Sequence, residues 1–222
     1  MHRFRSFRRV LALLALVAIA ALPACNSAAI ALREKFGFAK REQLVDRVQE
    51  ARDGQEEAKQ QFKSALEQFL AFTKVDGGEL EAVYKKLNDE YEASVEASDE
   101  VKNRIEKVEA VSEALFEEWE AELDQYSDPA LRRSSETQLS DTRRKYATLL
   151  AAMQNAAAKM DPVLANFRDK VLFLKHNLNA QAIASLQQSV DVLKSDVSKL
   201  VAEMEASIAE ANKFIEQMQP QG

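Results

Sequence analysis

Four stretches of this chain repeat apolar residues in alternating steps of four and three, and that spacing constrains its fold more tightly than any other feature. The first runs through Leu44, Val48, Ala51, Gln55, Ala58, Phe62, Ala65, Phe69 and Phe72, with Gln55 its one polar member. The second runs from Leu80 through Tyr84, Leu87, Tyr91, Ser94, Ser98, Val101, Ile105, Val108, Ser112, Leu115, Trp119 and Glu122 to Tyr126. A third joins Leu139, Thr142, Tyr146, Leu149, Met153, Ala156, Met160, Val163 and Phe167, and a fourth begins at Leu186 and ends at Met218. Steps averaging 3.5 residues keep one apolar seam of a helix against a neighbour over many turns, as coiled coils require. Only five Gly and four Pro occur in 222 residues, and no stretch between Ala39 and Gln219 shows the two-residue alternation of a strand. The expected fold is all-α: an elongated antiparallel coiled-coil bundle of three to four long helices.

The breaks between registers set the helix ends. "KVDGG", at 74–78, supplies an Asx residue and two glycines for a tight turn. "YSDPA" offers Asp128 as an N-cap and Pro129 at the first helical position. Pro162 keeps the four-three phase on both sides, so it reads as a kink inside a continuing helix. "KHNLNAQ" places Lys175 and His176 at a C-terminus and offers Asn177 or Asn179 for a cap. Helices are therefore expected near 39–75, 79–126, 129–176 and 180–218. A helical asparagine turn would instead fuse the last two into a rod of roughly 135 Å, half of it without an intramolecular partner and hence dimeric. Charge favours pairing the second helix with the third. Residues 76–128 carry a net −13 and residues 129–175 a net +5, and a fold back at Ser127 brings Arg132 and Arg133 towards Glu120, Glu122 and Asp124. The same fold brings Arg143, Arg144 and Lys145 towards Glu109 and Glu113.

The N-terminus has another character. Arg3, Arg5, Arg8 and Arg9 precede Val10 to Leu22, thirteen residues without a polar side-chain atom. Such a run is too short for a bilayer core, which needs roughly twenty residues, and suits the apolar region of a signal peptide. Leu22-Pro23-Ala24-Cys25 then resembles a bacterial lipobox, although Pro23 departs from its usual pattern. That resemblance implies diacylglycerol on the Cys25 thiol and removal of residues 1–24; cleavage by ordinary signal peptidase after Ala29 and a false signal are the competing readings. Asn26 stands where retention in the inner membrane often shows Asp, which favours the outer membrane. The expected organisation is a signal peptide over 1–24, lipidated Cys25 with a short tether over 25–37, the coiled-coil domain over 38–218 and a disordered tail over 219–222.

Losing the leader arginines takes the net charge from −6 to −10. So acidic a body repels phosphate, which argues against nucleic acid and leaves the acyl chains as the attachment to the membrane. One histidine, His176, remains outside the leader, too few for a His-based metal site or a Ser-His-Asp relay. No enzyme activity and no cofactor are expected. Two roles remain: a helical scaffold at the periplasmic face of the outer membrane, or a membrane-shaping, lipid-handling module like a BAR domain, which the acidity disfavours. Val171, Leu172, Phe173 and Leu174 are consecutive and point around the whole helix. With Leu178 they are the expected docking surface for a second copy or another envelope protein.

"KREQLVDRV", "VDGGELEAVYKKLNDEYEAS", "ALFEEWEAELDQYS", "LRRSS", "MDPVLANFRDKVLFLKHNLNAQAIASL" and "MEASIAEANKFI" together resemble the bacterial family filed as domain of unknown function 2959. The resemblance covers about Phe36 to Ile215. It implies a proteobacterial envelope protein, often with a lipoprotein leader, and supplies no catalytic residue or ligand. Some members carry names suggesting a DNA-repair ATPase, but the chain has no G-x-x-x-x-G-K-[ST] phosphate loop.

Overall fold

A computed structural model of the chain describes residues 39–74 and 80–218. The expected leader, Cys25, the tether, the turn at Gly77-Gly78 and the tail at 219–222 lie outside the described residues. Within them the structure is helical: α1 (Lys40–Phe72), α2 (Leu80–Leu123), α3 (Pro129–His176), α4 (Ala180–Gln187) and α5 (Val190–Met218). At 1.5 Å per residue α3, the longest, spans roughly 70 Å.

The four long helices form a ring in which α1 and α3 each pack against both α2 and α5. Neighbours run antiparallel. Lys40, at the start of α1, pairs with Glu118 near the end of α2 (3.0 Å), and Arg41 donates to the Met218 carbonyl at the end of α5 (2.6 Å). Farther along, Gln61 of α1 meets Glu90 of α2 (2.7 Å). The seams meet on the axis, where the Phe69 and Phe167 rings pack edge to face at 6.4 Å with both side chains fully buried. Seam positions that break the apolar rule on α2 are filled by small residues whose hydroxyls bond locally. Ser94 donates to the Glu90 carbonyl (2.7 Å) and Ser112 to the Glu109 carbonyl (2.8 Å). Ser98 Oγ is the buried side-chain atom without a partner among the described residues. Gln55 reaches across the core: its Oε1 accepts from Ser207 Oγ of α5 (2.8 Å) and its Nε2 points at the Met153 carbonyl of α3 (3.5 Å).

The helix ends follow local chemistry. Asp128 caps α3 by accepting from Ala130 N (2.7 Å) and Leu131 N (3.4 Å), with Pro129 at the first position. Pro162 lies inside α3, which continues through it. Asn177 takes a non-helical conformation (φ −135°, ψ 58°), and Asn179 Oδ1 caps α4 by accepting from Ala182 N (2.9 Å). The asparagine turn is thus a real break, and the fused-rod alternative does not occur.

Three expectations need correction. The helix expected over 180–218 is two helices, because Ser189 N and Oγ both bond the Leu186 carbonyl (3.0 and 2.8 Å), a three-residue closure that breaks the four-residue ladder. The short α4 buries Ala182, Ile183 and Leu186 against the core, and Gln187 of α4 ties it to the Thr73 carbonyl just beyond α1 (2.7 Å). Helix α2 ends at Leu123 and not at Tyr126. The α2–α3 stagger also differs: Arg132 meets Asp124 as expected (3.1 Å), but Arg143 pairs with Glu120 and Arg144 with Asp141 of its own helix. Gln154 is the residue that reaches Glu109 (2.6 Å). Near the tip Trp119 meets Ser135 and Arg132 meets Asp124, close to where a fold about Ser127 places them, whereas deeper in the pair Arg143 and Gln154 reach Glu120 and Glu109.

Candidate functional site

A helix turns by about 100° per residue, and the expected docking quartet is divided accordingly. Val171 and Leu174 lie in the core, whereas Leu172 is 52 % and Phe173 40 % exposed, and Leu178 in the following turn is exposed as well. The two exposed members of the quartet do not share a patch. Phe173 lies seven residues after Asn166, which bonds Asp196 of α5 (3.2 Å), so it flanks the α3–α5 groove. Exposed Val192 of α5 lies four residues before Asp196 and flanks the same groove. Leu172 lies eleven residues after Asp161, which pairs with Lys102 of α2 (2.6 Å), so it sits on the α2 side. Between Phe173 and Asn166, Lys170 donates to Asn166 Oδ1; its burial pulls the ammonium pKa down, opposed by Asp169 and Asp196.

Two surface clefts carry opposite charge. Between α1 and α2 an open groove of about 810 Å³ presents Glu57, Glu92, Glu96, Asp99 and Glu100. The Arg104 guanidinium beside it donates to Glu100 (2.7 Å) and to the Glu50 carbonyl (2.9 Å), and the first of these bonds holds the Glu100 carboxyl below the usual range. Gly54 leaves the space that Arg104 crosses: a Cβ there would meet its Cδ at 2.9 Å. Between α3 and α5 a smaller cleft of about 270 Å³ presents Arg144, Lys145 and Lys213 beside Phe214. Among the described residues no group of three His, Cys, Asp or Glu side chains is arranged to hold a metal, and no helix is long and apolar enough to cross a membrane.

The third feature is the end of the bundle where α1 begins. Phe116 stacks edge to face on Tyr146 (5.5 Å), Tyr146 on Phe214 (6.4 Å), and the Arg143 guanidinium lies over Phe116 at 5.2 Å. Burial pushes the Tyr146 phenol above its ordinary pKa. Past this cluster α1 and α5 stop, and α2 and α3 continue as a two-helix hairpin. There Trp119 Nε1 donates to Ser135 Oγ (2.8 Å), Leu131 is 58 % exposed and Tyr126 42 %. Sequence reasoning placed Trp119 and Tyr126 on a seam and passed over Leu131, although Leu131 precedes Ser135 and Leu139 in steps of four.

The chain belongs to the DUF2959 family, described as a protein of unknown function, whose model matches residues 30–218. No curated protein matches it.

Proposed function

We propose that this chain is a non-enzymatic envelope lipoprotein whose bundle acts as a helical scaffold at the periplasmic face of the outer membrane, held there by acyl chains on Cys25. The observation that carries the reading is in the sequence: a basic start, thirteen apolar residues and Leu22-Pro23-Ala24-Cys25 at their end. The fold is compatible with it. The bundle starts at Lys40, so fourteen residues separate it from Cys25, at most about 50 Å of extended chain, and the body stays close to its anchor. The scaffold role is supported by what the long helices offer, namely charged grooves on either side and apolar residues such as Phe173 and Val192 at the far end. Two or more acyl chains suffice for stable anchoring, which the acidic body does not supply.

Growth with labelled palmitate tests the anchor. The wild-type protein should carry the label and sediment with outer membranes, and Cys25→Ala should release the body or leave an uncleaved precursor. Unlabelled wild-type protein in the soluble periplasm would refute the reading.

A further inference from the structure

We propose that the cleft between α3 and α5 binds a small phosphate-bearing ligand, held by Arg144 and Lys145 from one wall and Lys213 from the other. The starting point is the basic run Arg143-Arg144-Lys145, which the acidic α2 was expected to absorb whole. The structure divides it. Arg143 turns to α2, where it pairs with Glu120 and lies over the Phe116 ring at 5.2 Å. At about 100° per residue the next two side chains leave that side of the helix, and both line the α3–α5 cleft. There Arg144 pairs with Asp141 of its own helix, and Lys145 has no ion-pair partner among the described residues. Lys213 enters from α5 and shares the cleft with Glu210, which it meets at 3.4 Å. Three cations against one carboxylate leave the lining at a net +2, in a chain whose net charge is −6.

The floor of the cleft is apolar and fixed. Phe214 is buried and stacks edge to face on Tyr146, which stacks in turn on Phe116. Cations over a low-dielectric floor concentrate their field in the cleft, whereas the acidic body acts at longer range and is screened by salt. Net charge therefore opposes phosphate at a distance and does not decide what the cleft holds.

The ligand chemistry follows from the number and kind of donors. A carboxylate offers one charge and two oxygens, which a single guanidinium satisfies; a phosphate offers up to two charges and more oxygens, enough for two ammonium groups and a guanidinium together. Gln217 lines the same cleft, makes no side-chain hydrogen bond among the described residues, and adds a neutral donor. The cleft volume of about 270 Å³ lies just below the roughly 300 Å³ at which small-molecule pockets begin, so the ligand is a phosphate with a short substituent. Little has to be given up to admit it: Lys145 is unpaired, and the Arg144–Asp141 pair that would yield is exposed, 73 % and 47 % at its two side chains. A soluble phosphate ester and a phospholipid headgroup share this chemistry. The site does not depend on acylation of Cys25, so it stands or falls apart from the anchor.

The chain from residue 25 with Cys25→Ser holds every described residue and carries no acyl chain. Its amide resonances are followed by nuclear magnetic resonance during titration with inorganic phosphate, glycerol phosphate, and dihexanoyl phosphatidylglycerol below its micelle concentration, at constant ionic strength. Saturable shifts are expected at 144–148 and 213–217. Lys145→Ala and Lys213→Ala should each weaken binding by about fivefold or more, as each removes a charge-assisted contact. Lys194→Ala removes the same charge roughly 28 Å away along α5 and should leave binding unchanged. All three lysines are exposed, so the circular dichroism of each variant should match wild type. Saturation by inorganic phosphate and glycerol phosphate supports the site and assigns it to a soluble ester; saturation by dihexanoyl phosphatidylglycerol alone supports it and assigns it to a lipid headgroup. Three results would overturn the proposal: no saturable shift with any of the probes, acetate binding as tightly as phosphate, or Lys194→Ala weakening binding as much as Lys145→Ala.

Discussion

Replacing Gln55 with leucine should stabilise the bundle, although it deletes a hydrogen bond from the core. Gln55 is fully buried, and of its two amide contacts only the Ser207 bond at 2.8 Å has good geometry, since Nε2 to the Met153 carbonyl is 3.5 Å. A bond of the first kind contributes about 1 kcal/mol net. Against it stands the desolvation of the amide, roughly 1–3 kcal/mol in protein cores, which leucine avoids at nearly the same volume. Ser207 is not orphaned, because a serine in a helix can turn its hydroxyl to the carbonyl four residues back. Leucine also adds apolar burial at a position flanked by the rest of the seam. The net expectation for Gln55→Leu is about 1–2 kcal/mol of added stability, or a melting temperature higher by roughly 2–8 °C for a domain of this size. Gln55→Ala should go the other way by about 2 kcal/mol or more, because it removes the bond and leaves a cavity. Urea unfolding measures both, with a shifted midpoint at an unchanged slope as the signature of a pure stability effect. A Gln55→Leu bundle less stable than wild type by more than about 1 kcal/mol at the same slope would show that the Gln55–Ser207 bond outweighs its desolvation, and the reasoning would be wrong.

Two further outcomes follow from the packing. Phe69→Ala and Phe167→Ala should each cost about 3–5 kcal/mol, and the double variant should cost less than their sum by about 1 kcal/mol because the edge-to-face pair is counted twice; additivity within a few tenths in a denaturation cycle would deny the pair an interaction of its own. Lys170 has its pKa lowered on folding, so the unfolded chain holds the proton more tightly and stability rises with pH between the lowered value and the ordinary lysine range. Lys170→Met should therefore be more stable than wild type at neutral pH and lose that advantage as the pH climbs through this window, read by denaturant midpoints; a variant weaker at neutral pH would mean that the contacts with Asn166 and Asp196 dominate.

Much of the interior was legible because a buried seam is periodic and periodicity survives in one sequence. Leu44, Val48, Phe62 and Phe69 on α1, and Met153, Met160 and Phe167 on α3, are buried where the four-three phase places them. Pro162 was legible for the same reason, since a proline that leaves the phase intact on both sides does not end the helix. The split between α4 and α5 was not, because it depends on Ser189 bonding three residues back, a choice that serine makes in some helices and not in others. The partner of Arg143 was also out of reach. Charge content predicts that α2 and α3 attract, but opposite charges recur along both helices often enough to fit more than one set of pairs. The docking quartet shows the limit for surfaces. Sequence indicates that four consecutive apolar residues cannot share one seam, yet which two are left outside depends on where α2 and α5 stand around α3.

The same limit explains why the hairpin end is the most informative part of the molecule. A heptad phase states that a residue faces a seam; it does not state how many helices meet there at that height. Trp119 and Leu131 are in phase with residues that are buried further along their helices, Leu115 on α2 and Leu139 on α3, and lie past the point where α1 and α5 end, whereas Tyr126 is exposed in the turn beyond Leu123. Leucine at a position that solvent would otherwise reach is an apolar choice made where a charged residue would serve a two-helix hairpin as well, and Arg132, Arg133 and Glu136 around it show that the surroundings are otherwise polar. Tyr126 and Leu131 lie at the hairpin end and Leu172, Phe173, Leu178 and Val192 at the opposite one, so the large apolar residues left exposed among the described residues gather where the number of packed helices changes.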